Sequence, residues 1–335
     1  MIRSKPRGVV LFHAYEWDDY TARQAARLAA RSDGLDFIVA ADESNVTVPT
    51  GDYGKLSYTD AGMASLGLPA HPRGSWWNLD YVMYEAARQL PDYEYYLRFD
   101  PDVLVTIELA ELVDFMHAAK TDWLTLQLRA VKGWAFERAA SGLPYADRKY
   151  VPLMAIMLSY TAIKYLEIER HKLADAGADP WPFCECFIPS AAVEIGIPWI
   201  DLRQILHAPL YSAELALHED DERLRDGGSL FHAVLDLPRY RKKVRRMVWF
   251  CLNGGFWDEL LRMETFAASH GFGDEVAHAI EDAVHAGAAA PPGRVFESAV
   301  PAMEPAGAER PGDHADGGEL NRDETRALLS RLSAE

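Results

Sequence analysis

Long apolar runs are missing from this 335-residue chain, as are cysteine pairs and any surplus of positive charge. Nothing in it approaches the roughly 20 consecutive apolar residues that a membrane-spanning helix needs. The start, Met1 to Arg7, is basic, but the apolar run behind it stops at His13, too short for a signal peptide or an anchor. Only three cysteines occur, Cys184, Cys186 and Cys251. The first two flank a single residue, a poor geometry for a disulfide, and no fourth ligand completes a structural zinc site. A reducing compartment follows. A net charge of -17 argues against non-specific nucleic-acid binding, which needs basic surface to neutralise phosphates. These absences predict a soluble, cytoplasmic protein with no nucleic-acid partner. Glycine signatures are lacking too: no Gly-x-Gly-x-x-Gly follows the first apolar run and no Walker-type loop occurs, so a dinucleotide site is unsupported.

What is present suits one large domain or one domain with an appendage, since 49% of the residues are hydrophobic. Gly8 to His13 reads as a buried strand, Asp18 or Asp19 can cap a helix to about Ala30, and Leu35 to Ala41 reads as a second strand. That is a βαβ unit. Asp42-Glu43-Ser44 follows, where a nucleotide base or ribose could be read, or a solvated loop could lie. Ser75 caps an expected helix from Trp76 to about Leu90, with Asp80 off its apolar stripe. Further helices are expected at 108–119, from Ser159 to about Ala174, at 256–270 and at 274–285, with a strand at 123–128. Residues 130–150 have no steady period, as in lids and binding loops. From Ala288 the chain is poor in large apolar groups, which predicts disorder to about Gly318 and then a short helix at Glu324 to Leu332. The expected organisation is a domain over 1–250, helices over 251–287 and an acidic tail over 288–335.

Asp100-Pro101-Asp102 stands out, directly behind Tyr93-Glu94-Tyr95-Tyr96-Leu97-Arg98-Phe99. At period two, Tyr93, Tyr95, Leu97 and Phe99 share one face and Glu94, Tyr96 and Arg98 the other. Large side chains on both faces predict a strand covered on both sides. Ligands in open α/β sheets bind beyond the carboxyl ends of strands, where Asp100 and Asp102 would lie. Magnesium and manganese favour one or two carboxylates plus substrate phosphates. An Asp-Pro turn that merely ends a strand is the plainer reading. A second carboxylate, Glu185, sits in Phe183-Cys184-Glu185-Cys186-Phe187, surroundings in which an ionised group needs a partner or a task.

Tyr93 to Val103 resembles the central motif of glycosyltransferases with the GT-A fold. The string Tyr95 to Val103 is similar to the corresponding stretch of fungal-type α-mannosyltransferases. The resemblance covers roughly residues 8–236. It implies an α/β, Rossmann-like fold with a mixed, mostly parallel sheet flanked by helices, followed here by a helical extension. It implies a metal-dependent transferase of the hexosyltransferase type, moving sugar from a nucleoside-diphosphate sugar to a saccharide or glycoconjugate hydroxyl, in service of cell-surface polysaccharide. In that reading Asp100 and Asp102 hold manganese or magnesium, with His232 in Gly227-Gly228-Ser229-Leu230-Phe231-His232 as third ligand. Arg98 and Asp80 approach the nucleotide or its phosphates, and Glu185 is the base or an acceptor-orienting residue. The plainer alternatives are a core histidine for His232, a solvated Asp80, and a Glu185 paired with Arg or capping a helix near Ser190.

The basic cluster Arg239, Arg241, Lys242, Lys243, Arg245 and Arg246, followed by Met247-Val248-Trp249-Phe250, suits a weak, salt-sensitive contact of residues 239–250 with the inner face of an anionic membrane. A basic helix face or internal ion pairs explain it equally. Two other functional classes compete. A sugar nucleotidyltransferase uses related chemistry but normally has a Gly-rich loop after the first strand, which His13-Ala14-Tyr15-Glu16-Trp17 does not offer. A non-catalytic carbohydrate-binding or scaffold protein is the third.

Overall fold

A computed structural model describes residues 7–207, 210–211, 215–225 and 227–289. The chain forms two compact units. The first holds the described residues up to Leu210 together with Arg223–Phe231. The second holds Tyr211–Glu222 and the described residues from His232 onward. The expected tail beyond residue 289 lies outside the described residues.

The first unit opens with β1 (Gly8–Ala14), α1 (Asp19–Ala29), β2 (Asp36–Asp42) and β3 (Gly54–Tyr58). Two short helices, α2 (Asp60–Met63) and α3 (Gly74–Trp77), lead into α4 (Leu79–Gln89), β4 (Tyr95–Phe99), β5 (Leu104–Val105) and α5 (Leu109–Ala119). Then come β6 (Trp123–Thr125), a ribbon of β7 (Arg129–Ala130) and β8 (Lys149–Tyr150), β9 (Ala155–Ser159), α6 (Tyr160–Asp175), α7 (Cys184–Glu194) and β10 (Trp199–Asp201). The main sheet runs β10-β6-β9-β4-β1-β2-β3. Strands β4, β1, β2 and β3 are mutually parallel, as are β10 and β6, and only β9 is reversed against its neighbours. This is the mixed, mostly parallel α/β architecture that the resemblance implies.

Local chemistry accounts for the elements. Asp18 caps α1, its Oδ1 accepting from the Thr21 N–H at 2.9 Å. Ser159 caps α6 by accepting from the Ala162 N–H at 3.0 Å. All five residues of β4 are buried, and Tyr96 joins the apolar cluster that includes residues of α4, α6 and α7. Leu97 and Phe99, on the other face, are fully buried as well, as the two-sided pattern requires. The helix expected from Trp76 is broken: Asn78, with φ -120° and ψ 49°, leaves helical geometry between α3 and α4. Helix α7 begins six residues before Ser190 and carries Pro189 inside it. Proline lacks the N–H that would meet the Glu185 carbonyl four residues earlier. That carbonyl accepts instead from the Val151 N–H at 3.0 Å, which fastens α7 to the segment before β9.

After β11 (Leu210–Tyr211) the second unit begins with β12 (Leu217–His218). Strand β13 (Leu230–His232) pairs through Leu230 and Phe231 with Val105 and Leu104 of the first unit's β5. In the second unit β14 (Val234–Leu235) lies parallel to β12, followed by α8 (Leu237–Gly254), α9 (Trp257–Ser269) and α10 (Gly273–His285). The buried stripe Tyr240, Val244, Met247, Val248, Cys251 and Leu252 of α8 has the three-and-four spacing of a helix packed on one face. No helix among the described residues is long and apolar enough to cross a membrane.

Candidate functional site

Four parallel strands bring polar side chains to one edge of the sheet. Strand β1 ends at His13-Ala14, β2 at Asp42 opposite Tyr58 of β3, and β4 runs into Asp100. Because β1 lies between β2 and β4, the chain leaves it on one side and returns on the other. The crevice beyond such a switch point is where open α/β sheets bind ligands.

Arg98 organises this edge. Its side chain is fully buried in a central strand, and such a cation must be paired. Nη1 donates to the Leu153 carbonyl at 3.2 Å, and Nη2 donates to Asp100 Oδ1 at 2.5 Å and lies 2.5 Å from His13 Nδ1. Asp100 Oδ1 and His13 Nδ1 are 3.1 Å apart. Burial alone would raise the pKa of Asp100, but the Arg98 charge and the hydrogen bond that Arg98 donates outweigh it and hold the group at about 2. The carboxylate is therefore ionised throughout the physiological range. Its side chain is 22% exposed, and Oδ2 has no side-chain partner among the described residues.

His13 was invisible to sequence reasoning except as the residue ending an apolar run. It is buried, and burial first, then the neighbouring Arg98 charge, lowers its pKa and keeps the ring neutral. With Nδ1 accepting from Arg98, the ring proton belongs on Nε2. That atom is buried and meets no partner among the described residues. A buried donor without an acceptor is costly, and a ligand oxygen would relieve it. Tyr58 stacks on the His13 ring at 6.2 Å, and its hydroxyl pKa is pushed well up, first by burial and then by Asp42.

Pro101 sets the turn after β4. The Val103 N–H donates to the Asp100 carbonyl at 3.1 Å, and the Asp100 N–H donates to the Met154 carbonyl at 2.9 Å. Asp102, half-buried, occupies the third position of this turn. Glu185 reaches the same neighbourhood from α7: Oε1 accepts from the Leu153 N–H at 3.2 Å. Leu153 thus receives Arg98 on its carbonyl and Glu185 on its N–H, linking the two motifs that lie far apart in sequence. Asp42 is knitted in as well. Oδ1 accepts from Ser44 N–H at 3.0 Å and Oγ at 2.6 Å, and Oδ2 from Ser75 Oγ at 2.5 Å. Glu43 accepts from the Val48 N–H at 2.8 Å and from Lys55 at 2.9 Å. The solvated-loop reading of 42–44 is replaced by an ordered one.

Asp80 is neither solvated nor open. It is 1% exposed, and Arg170 of α6 donates to both oxygens, Nε to Oδ2 at 2.6 Å and Nη2 to Oδ1 at 3.1 Å. Tyr84 adds a third donor to Oδ2 at 2.9 Å. The apolar surroundings that hide it also hold Arg170 over the Phe187 ring, 3.8 Å from its centroid. A nucleotide at Asp80 would have to displace this pairing, so the carboxylate serves the packing of α4 on α6. His232 is buried in the second unit. Among the described residues, no group of three or more His, Cys, Asp or Glu side chains is placed to hold a metal ion. The chemistry of Asp100 Oδ2 with Asp102 nonetheless fits a hard cation that draws its remaining ligands from phosphates and water.

No protein-family profile matches the chain, and no curated protein matches it. Among solved structures it is similar to the galactosyltransferase LgtC in complex with donor and acceptor sugar analogues, at 14% identity and a TM-score of 0.39, over 67% of this chain and 86% of that one. A glycosyltransferase involved in the glycosylation of the major capsid of PBCV-1 is similar at 13% identity and a TM-score of 0.34, over 68% and 92%.

Proposed function

We propose that the protein is a glycosyltransferase that uses a nucleoside-diphosphate sugar and a saccharide or glycoconjugate acceptor. The observation that carries this reading is the ionised, Arg98-held Asp100 at the switch point of the sheet, tied through Leu153 to Glu185. Asp100 and Asp102 are the residues that would hold manganese or magnesium, whose charge would offset that on the departing diphosphate. Arg98 fixes the orientation of Asp100, and pre-set orientation removes a cost otherwise met during reaction. His13 Nε2 offers a donor to a ligand oxygen in the same crevice. Glu185, held by the Leu153 N–H, accepts the hydrogen bond of the acceptor hydroxyl and so aligns it for attack.

The test is incubation with a panel of sugar nucleotides in the presence and absence of manganese. Release of nucleoside diphosphate from one donor class is expected, reduced at least about a hundredfold in Asp100→Asn and Asp102→Asn. Turnover that ignores both substitutions, or no release from any donor, would remove the reading. Release of pyrophosphate in place of nucleoside diphosphate would favour a nucleotidyltransferase.

A further inference from the structure

An aromatic face lies beside the candidate site, and nothing derived so far uses it. Helix α3 presents Trp76 with 48% of its surface exposed, yet the ring is held against Phe183 at 4.9 Å and Phe136 at 5.8 Å between centroids. Trp134 stacks on Tyr150 at 4.6 Å with 10° between the planes, and lies parallel to Phe183 at 6.0 Å. These rings come from α3, from the 130–150 segment with β8 at its end, and from the residue before α7, so three separate parts of the chain build one surface. Two of its rings are tied to the segment that carries Glu185. Phe183 is two residues from Glu185, and Tyr150 adjoins Val151, whose N–H binds the Glu185 carbonyl.

Two arginines border it, beside Glu137, whose Oε2 accepts from the Gly133 N–H at 2.8 Å. Arg73 lies 5.5 Å from the Trp76 ring centroid and 5.1 Å from that of Trp77, a cation over aromatic faces. Arg129 stands directly opposite Tyr150 in the β7–β8 ribbon, so the two side chains share a face. Neither arginine forms an ion pair among the described residues. A half-exposed indole, its ring held by Phe183 and Phe136, matches the apolar C–H face of a pyranose ring, whose hydroxyl rim stays hydrated. The basic rim adds a demand for negative charge.

We propose that this face is the acceptor subsite and that it takes an acidic saccharide, a pyranose bearing carboxylate or phosphate, stacked on Trp76 with its anionic group toward Arg73 and Arg129. The inference rests on the glycosyltransferase reading for the word acceptor, and on the surface itself for the ligand class.

Calorimetric titration of the full chain tests it with three oligosaccharides of equal length: one of uronate units, one phosphorylated and one neutral. At least one acidic ligand is expected to bind about tenfold or more tightly than the neutral one. Trp76→Ala should weaken every ligand about tenfold, and Arg73→Gln with Arg129→Gln should abolish the preference for acid. Circular dichroism melting establishes that the variants fold. Whichever acidic ligand binds more tightly identifies the anionic group. Equal affinity for all three ligands, no binding of any, or variants that bind as the wild type does would overturn the subsite. Donor hydrolysis without acidic-saccharide binding removes the subsite and spares the transferase. Acidic-saccharide binding without hydrolysis of any donor does the reverse, leaving a glycan-binding face.

Discussion

At the scale of single residues, the central observation is that a buried arginine decides the state of a carboxylate. Asp100 has its pKa lowered from 3.8 to about 2 although burial acts the other way, because the charge and hydrogen bond of Arg98 win. A depressed carboxylate pKa contributes stability that is fully present above the unfolded value and disappears as pH falls through the folded one. The window here runs from about pH 4 down to about pH 2. Asp100→Asn removes that contribution, so the variant is expected to be less stable than wild type at pH 7 by on the order of 2 kcal/mol. The gap should narrow below pH 4 and close near pH 2. Urea denaturation over a pH series checks this, and a gap unchanged between pH 7 and pH 2.5 would contradict it. His13 acts in the same direction at higher pH: its lowered pKa means that the fold prefers the neutral ring, so protonation as pH falls below the usual imidazole range weakens the fold.

Among elements, the packing of α4 on α6 depends on one ion pair, Asp80 with Arg170, both side chains at 1% exposure or less. Removing one partner leaves an uncompensated buried charge. Arg170→Met is therefore expected to destabilise by about 3–5 kcal/mol, and adding Asp80→Leu to recover a large part of the loss. Denaturation midpoints at constant slope measure both, and a single variant within 1 kcal/mol of wild type would refute the argument. The same pair marks where sequence reasoning stops. Strands β1, β2 and β4 and helices α1, α5, α9 and α10 are legible because period and caps are local properties. Asp80 and Arg170 are 90 residues apart, and no local pattern reports that the tertiary fold joins them. Likewise no local pattern reports that the missing N–H of Pro189 lets the Glu185 carbonyl reach Val151. Asp100 and Glu185 were legible as carboxylates in odd company. His13 was not, because a histidine closing an apolar strand looks the same whether or not its Nε2 is satisfied.

For the whole molecule, charge is the governing quantity. A net charge of -17 opposes approach to an anionic surface, and the basic helix α8 is the part that could oppose that trend. Its charges are partly engaged within the second unit: Arg239 with Asp236 at 2.9 Å, Arg241 with Glu275, and Arg245 with Asp282 at 3.6 Å. Each basic residue near an anionic membrane contributes about 1 kcal/mol, and ion pairing of this kind lowers that attraction. Trp249, 44% exposed on the same helix, supplies an apolar contact that remains. The protein is therefore expected to co-sediment with phosphatidylserine vesicles only at low ionic strength, with Trp249→Ala abolishing the residual binding. At about 0.15 M salt, where charges beyond about 8 Å are screened, it should stay in the supernatant. Pelleting that persists at that ionic strength would mean that the arginines leave Glu275 and Asp282 for lipid, and that the pairs are a store of basic charge rather than its cancellation.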